Sequence, residues 1–120
     1  MATRFEPPFL IGIDVGTRSV RAIAFDARGR RAAQAARPTP ARMQAGGRGE
    51  YDPDGLFAAV MDCLAEVARS LGGKPVAGLA VGSVGESCVL VDDSGRSLAP
   101  SLVWFDRRTE AAARELAETI

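Results

Sequence analysis

The sequence predicts an α/β fold: a mixed sheet with three leading antiparallel strands and flanking helices. Three observations carry this. Apolar residues alternate with period two from Ser19 to Phe25, between two turn-like segments. The hydrophobic period becomes helical near Pro53. It becomes strand-like again near Pro75.

Each element has its own signals. Phe9–Asp14 is short and apolar and reads as a buried strand. In SVRAIAFD, Arg21, Ile23 and Phe25 fall on one face and Val20, Ala22 and Ala24 on the other, which predicts a second strand. DARGR reads as a hairpin turn in which Gly29 is free to take positive φ, and Arg30 to Arg37 as the third strand. Residues 38–50 are rich in Pro and Gly and lack periodicity, so a mobile loop is expected there. A helix is expected from Pro53 to Leu71. Asp52 is placed to cap it, Pro53 suits the first helical position and Asp54 favours the positive end. Leu56, Val60, Cys63, Leu64, Val67 and Leu71 form its apolar stripe, and Gly72-Gly73 ends it. VAGLAVGS then reads as a buried strand, and strand–helix–strand order predicts that it runs parallel to the first sheet. SCVLVDDSGRSLAPSLVW reads as another hairpin, turning at Asp93-Ser94-Gly95. Its VDDSGR turn repeats FDARGR, which two hairpins explain without an internal repeat. Asp106 is placed to cap a last helix from Arg107 to about Thr119.

Bulk properties narrow the function. The 120 residues suffice for one small domain, and zero formal net charge argues against a general nucleic-acid or membrane-surface binder. Between Arg18 and Arg48 lie eight Arg and one acid, Asp26. This is either a set of solvated strand edges or a stretch that partly faces an anion. Two distant cysteines and no His argue against a zinc site. Cys63 and Cys88 read as small core hydrophobes in a reducing cytoplasm. No apolar run reaches the ~20 residues of a membrane span, and MATRFEPPFL lacks the apolar stretch of a signal peptide.

The chemistry-bearing motif is Asp14-Val15-Gly16-Thr17-Arg18-Ser19, followed by Arg21. A tight turn between strands presents backbone N–H groups, Gly16 permits close approach, and Thr17 and Ser19 add hydroxyls. Such a donor cluster suits phosphate, and Arg18 and Arg21 add charge-assisted bonds. Asp14, at a strand end, could hold Mg²⁺ through water, since Mg²⁺ keeps much of its hydration and takes few carboxylates. A hairpin with a merely polar tip is the alternative. Downstream, VGSVGES places Glu86 after a strand and LVWFDRRT places Trp104 and Asp106 after another. Strand ends of parallel sheets are common ligand sites. Glu86 could accept hydrogen bonds from substrate hydroxyls and Trp104 could stack on a polyol. A surface carboxylate and a core aromatic are the plainer readings of the two.

Taken in order, IGIDVGTRSVRAIAFDARGR, GEYDPDGLFAAV and VAGLAVGSVGESCVLVDDSGRSLAPSLVWFDRRT resemble the N-terminal part of the FGGY carbohydrate kinases, over about residues 9–118. That family belongs to the actin–hexokinase–Hsp70 superfamily. The resemblance implies a ribonuclease-H-like, actin-like ATPase domain over residues 9–120 that the chain leaves incomplete. It also implies ATP- and Mg²⁺-dependent phosphorylation of a small sugar or polyol, such as a pentulose or hexulose. It puts Asp14, Gly16, Thr17, Arg18, Ser19 and Arg21 at the nucleotide phosphates, and Glu86, Trp104 and Asp106 at the substrate. Glycerol-directed members carry Arg just before that Glu, where this chain has Gly85, so the resemblance points away from glycerol; the xylulokinase-type pattern around this position also differs, so the sugar stays open. The general base and adenosine site are expected beyond Ile120, in the rest of the same kinase chain, so the 120 residues alone are expected to be inactive. Self-association through an incompletely covered apolar face is a further expectation. The rival readings are an actin-like or Hsp70-like ATP-binding protein that is not a kinase, and a non-catalytic interaction module.

Overall fold

The computed structural model describes residues 5–119, so the ends of the chain, where the leader and truncation expectations partly rest, lie outside it. Among the described residues, seven strands and two α-helices form in the order β1 (Phe9–Val15), β2 (Ser19–Phe25), β3 (Arg31–Pro38), β4 (Ala41–Met43), β5 (Gly49–Tyr51), α1 (Pro53–Leu71), β6 (Val76–Ser83), β7 (Ser101–Leu102) and α2 (Glu110–Thr119). They divide into two compact units. The first holds the chain up to Thr39 and Asp54–Gly85; the second holds Pro40–Pro53 and the chain from Glu86 on.

The first unit is a four-stranded mixed sheet, ordered β3-β2-β1-β6. β1 pairs antiparallel with β2 and parallel with β6, and β2 pairs antiparallel with β3. The alternation read from the sequence holds: Val20, Ala22 and Ala24 are buried and Arg21 is exposed. With Phe9, Ile11, Ile13 and Ala35 they meet Cys63, Val67 and Leu71 of α1 in one core, flanked by partly buried Leu56, Val60 and Leu64. Helix α1 starts at the predicted Pro53 and ends at Leu71, where Gly72 and Gly73 take φ of 61° and 77°. Cys63 is fully buried, and burial pushes its thiol pKa up, so it acts as a core hydrophobe rather than a nucleophile. Arg37 of β3 reaches Glu66 of α1 at 2.7 Å.

β6 departs from expectation. It is parallel to β1 as predicted, but it is not buried: Leu79 and Val81 are 52% and 60% exposed. The physical reason is position. β6 is the sheet edge, and the core of α1 lies over β1, β2 and β3.

The second unit is a three-stranded sheet, β4-β5-β7, all antiparallel. Residues 38–50 are therefore not the unstructured loop expected. β4 and β5 form a hairpin whose tip is a 3-10 turn at Ala45–Gly47, with Gly46 and Gly47 at φ of 77° and 75°. The downstream hairpin turns where predicted but is short: it closes with a single bridge, Val91 to Ser97, and β7 pairs with β5 instead. Cys88 is exposed rather than in a core. The last helix begins as a 3-10 turn, Arg107–Thr109, capped by Asp106 as predicted, and continues as α2. Among the described residues, no helix is long and apolar enough to cross a membrane.

The two repeated turns have one geometry. In the first, the carboxylate of Asp26 accepts from the Arg28 and Arg30 N–H groups and from Arg30 Nε; in the second, that of Asp92 accepts from the Ser94 and Arg96 N–H groups and from Arg96 Nε. Asp26 is buried, which by itself pushes its carboxyl pKa up. The Arg30 guanidinium and the N–H groups of Arg30, Glu6 and Arg28 outweigh burial and bring it down to about 2. A folded pKa below the unfolded value of about 3.9 means that Asp26 stabilises the fold fully above that pH. That contribution fades as pH falls toward 2. Acid unfolding followed by circular dichroism should therefore show a smaller pH dependence between about pH 4 and 2 in Asp26→Asn than in wild type. Equal slopes would contradict the assignment.

Candidate functional site

The predicted phosphate-binding residues all lie in the first unit, around the β1–β2 turn. β1 is central in the sheet, and Asp14 near its C-terminal end is paired through backbone with Arg21 of β2 and Gly82 of β6. Because strand side chains alternate, Ile11 and Ile13 face the α1 core while Asp14 stands on the opposite face, across from Arg21. Both side chains are exposed, and neither has a hydrogen-bond or ion-pair partner among the described residues.

The turn itself has two residues at its tip, Thr17 and Arg18, between Gly16 and Ser19. The Gly16 N–H donates to the Ser19 carbonyl at 3.1 Å, but the reverse bond from Ser19 N–H to the Gly16 carbonyl is absent. Among the described residues no non-glycine residue has positive φ, so this is not one of the primed turns that normally close a two-residue hairpin. The Gly16 carbonyl accepts instead from the Thr39 hydroxyl at 2.6 Å, and the Arg18 carbonyl accepts from the Thr39 N–H at 3.1 Å. The N–H groups of Thr17 and Arg18 are left without protein acceptors. Space at Gly16 is tight: a Cβ there would lie 3.0 Å from the Ser19 carbonyl oxygen.

These groups fit a phosphate with Mg²⁺. Two free N–H donors, two hydroxyls and two exposed guanidinium groups suit an anion. Among the described residues no three potential ligands cluster into a protein-only metal cage. One unpaired carboxylate is what a hydrated Mg²⁺ bound mainly through phosphates uses.

The predicted substrate residues fall in the second unit. Glu86 is exposed and has no partner among the described residues. Trp104 is half-exposed and meets Phe105 edge-on, with ring centroids 5.2 Å apart. Trp104 does not take the core position that was its plainer reading, whereas an exposed Glu86 fits a surface carboxylate and a ligand carboxylate alike.

Asp106 differs from the other two. Its side chain is fully buried and accepts from the Gly49 N–H at 2.9 Å, the Arg108 N–H at 3.0 Å, and the Arg108 guanidinium. Arg108 also reaches Glu50 at 2.9 Å. The Arg108 guanidinium, followed by the N–H groups of Arg108 and Gly49, holds the Asp106 carboxyl well below the usual carboxylate range. With both oxygens engaged inside the protein, Asp106 is a scaffold residue here, and the expected substrate contact gives way to its capping role. Gly49 is similarly constrained, since a Cβ there would lie 3.0 Å from a methyl of buried Val103.

Two residues escaped the sequence reading. Thr39 sits between prolines in a stretch read as loop, and its two bonds to the turn had no periodic signal. Tyr51 is buried, its hydroxyl has no partner, and it lines a cavity of about 590 Å³ with Arg42, Glu50, Leu98 and Pro100 that contains none of the predicted site residues.

Comparison with known proteins agrees with this architecture. The profile of the FGGY family of carbohydrate kinases, N-terminal domain, matches residues 9–120. A glycerol kinase of Aquifex aeolicus is 34% identical over 110 residues, covering 91% of this chain and 22% of the relative. An apulose kinase of Pectobacterium atrosepticum is also 34% identical over 110 residues, with the same coverage. The crystal structure of xylulose kinase from Rhodospirillum rubrum superposes with a TM-score of 0.84 at 30% identity, over 94% of this chain and 24% of that one. The chain thus spans about a quarter of the length of these relatives. The expected actin-like ATPase architecture is the one the chain adopts.

If Asp106 is a scaffold residue, Asp106→Ala should lower the thermal midpoint and disperse the amide signals of Gly49–Tyr51, while leaving those of β1 and β2 in place. Unchanged Gly49 and Glu50 signals by heteronuclear NMR would contradict it.

Proposed function

From the premise that this chain belongs to the FGGY family of carbohydrate kinases, we propose that it is the phosphate-binding N-terminal portion of an ATP-dependent kinase acting on a hydroxyl of a small carbohydrate. The observation that carries the reading is the β1–β2 turn. Its two N–H groups lack protein acceptors, and an unpaired Asp14 stands beside it.

Phosphoryl transfer depends mainly on positioning and on stabilising charge at the transferred group. In this reading Thr17 and Arg18 donate backbone N–H bonds to phosphate oxygens, with the Thr17 and Ser19 hydroxyls and the Arg18 and Arg21 guanidinium groups as further donors. Asp14 orients the hydration shell of Mg²⁺, which supplies neutralisation of phosphate charge when bound. The cost of leaving Asp14 and Arg21 unpaired in the free protein is small, because both are exposed. Glu86 accepts hydrogen bonds from sugar hydroxyls and Trp104 offers an apolar face to the carbon skeleton. The proton acceptor for the attacking hydroxyl lies in the remainder of the kinase.

The relatives are named for glycerol, apulose, gluconate and xylulose, so a small sugar or polyol is the common class. Gly85 argues against glycerol and leaves the choice among the other small sugars open. A Cβ at Gly85 would meet nothing within 4 Å, so the Arg implied for glycerol-directed members is absent without any local crowding to exclude it.

Steady-state kinetics of the full-length kinase test both halves of this reading. Asp14→Ala should lower kcat by about 10²-fold or more, the loss of a preorganised electrostatic group. Glu86→Ala should raise KM for the sugar and lower kcat, with nucleotide affinity near wild type by calorimetry. Nucleotide binding weakened as much as sugar use by Glu86→Ala would overturn its placement in the sugar pocket.

A further inference from the structure

We infer that Thr39 is a positioning residue for the phosphate-binding turn, holding it open through the two carbonyls of Gly16 and Arg18. The inference rests on the reading of that turn as a phosphate site and adds to it a residue remote in sequence.

The argument begins with what the turn lacks. A two-residue hairpin normally closes by a pair of bonds between its flanking residues, and the favoured types need positive φ at the first central position. Thr17 and Arg18 are both L-residues with negative φ, and only one of the two closing bonds forms, from the Gly16 N–H. Turns of this hand splay the strands that they join. Left alone, the Gly16 carbonyl would have no protein donor and the tip would have several conformations of similar energy.

Thr39 supplies what is missing. It follows β3, which runs alongside β2 with Ser19 paired to Pro38, so residue 39 is delivered beside the turn by sheet register. Its hydroxyl takes the Gly16 carbonyl at 2.6 Å, and its N–H takes the Arg18 carbonyl at 3.1 Å. Two carbonyls on either side of Thr17 are thereby engaged. A peptide group is planar, so fixing the Gly16 carbonyl also fixes the N–H of Thr17 on the opposite side of the same group. The free donor of Thr17 is thus held in one orientation before any anion arrives. Preorganisation of this kind raises affinity by lowering the ordering cost of binding. The prolines on either side suit the role: Pro38 and Pro40 each fix their own φ and restrict the residue before them.

Thr39→Val keeps the shape and removes the hydroxyl donor, while Thr39→Ser keeps the donor. Calorimetric titration of the full-length kinase with inorganic tripolyphosphate should show binding weakened about five- to thirtyfold in Thr39→Val, the range one hydrogen bond and its lost ordering produce. Thr39→Ser should restore affinity to within about twofold. Amide hydrogen exchange at Thr39, whose N–H is bonded to the Arg18 carbonyl, should accelerate in Thr39→Val with little change in the thermal midpoint. In wild type, the Thr39 hydroxyl proton should be protected enough to be seen by NMR, a measurement that holds even if the valine variant unfolds. Wild-type affinity in Thr39→Val, or a freely exchanging Thr39 hydroxyl, would overturn the inference while the turn's role stands. A wild-type chain that binds no tripolyphosphate would overturn the phosphate reading itself, and the inference with it.

Discussion

Strand β1 is paired on both sides and buried on one face, and the first unit is arranged by that constraint. Its register with β2 puts Val15 opposite Val20, which leaves only Gly16 to Ser19 to reverse the chain. Its register with β6 brings Gly82 beside Asp14. Burial of Phe9, Ile11 and Ile13 under α1 decides which face each residue occupies, because a one-residue slip would exchange the two faces. Asp14 is therefore exposed for the same reason that Ile13 is buried. The position of the carboxylate proposed to serve Mg²⁺ is here a by-product of core packing, and the turn inherits the rigidity of the sheet.

A second theme is local carboxylates that organise backbone. Asp26, Asp92 and Asp106 each accept N–H bonds from residues two positions on, and each is joined by an arginine. The three differ in burial: Asp26 and Asp106 are inside, and Asp92 is half-buried. A buried carboxylate is tolerated only when its oxygens are saturated, and in the two buried cases they are. Asp14 and Glu86 are the contrast, since neither has a partner among the described residues. The carboxylates that organise the backbone are thus recognised by the partners they have.

The boundaries of α1 were legible because every signal for it is local: Pro53 at the start, an apolar stripe at helical spacing, and Gly72-Gly73 at the end. The first three strands were legible for a similar reason, with alternation inside each and a glycine turn between the second and third. β4 and β5 were not, since each has three residues and too few positions to show a period. The exposure of β6 was misread because an apolar strand states what it would bury, not what covers it. The site divides in the same way. Asp14 to Arg21 is one continuous stretch, so the motif proposed to bind phosphate is legible in the sequence. Thr39 acts on Gly16 from 23 residues away, and Asp106 on Gly49 from 57, and such pairings are set by tertiary register that no window of sequence contains.

The central claim is that the β1–β2 turn is built to receive phosphate oxygens through backbone donors. The most direct measurement is an amide-resolved NMR titration of the chain with Mg²⁺·ATP. The account predicts saturable shifts concentrated at the Thr17 and Arg18 amides, with smaller ones at Gly16 and Ser19, and the amides of the Asp26 and Asp92 turns unmoved. Shifts centred on the Asp92 turn or on the cavity beside Tyr51, with Thr17 and Arg18 unaffected, would contradict it.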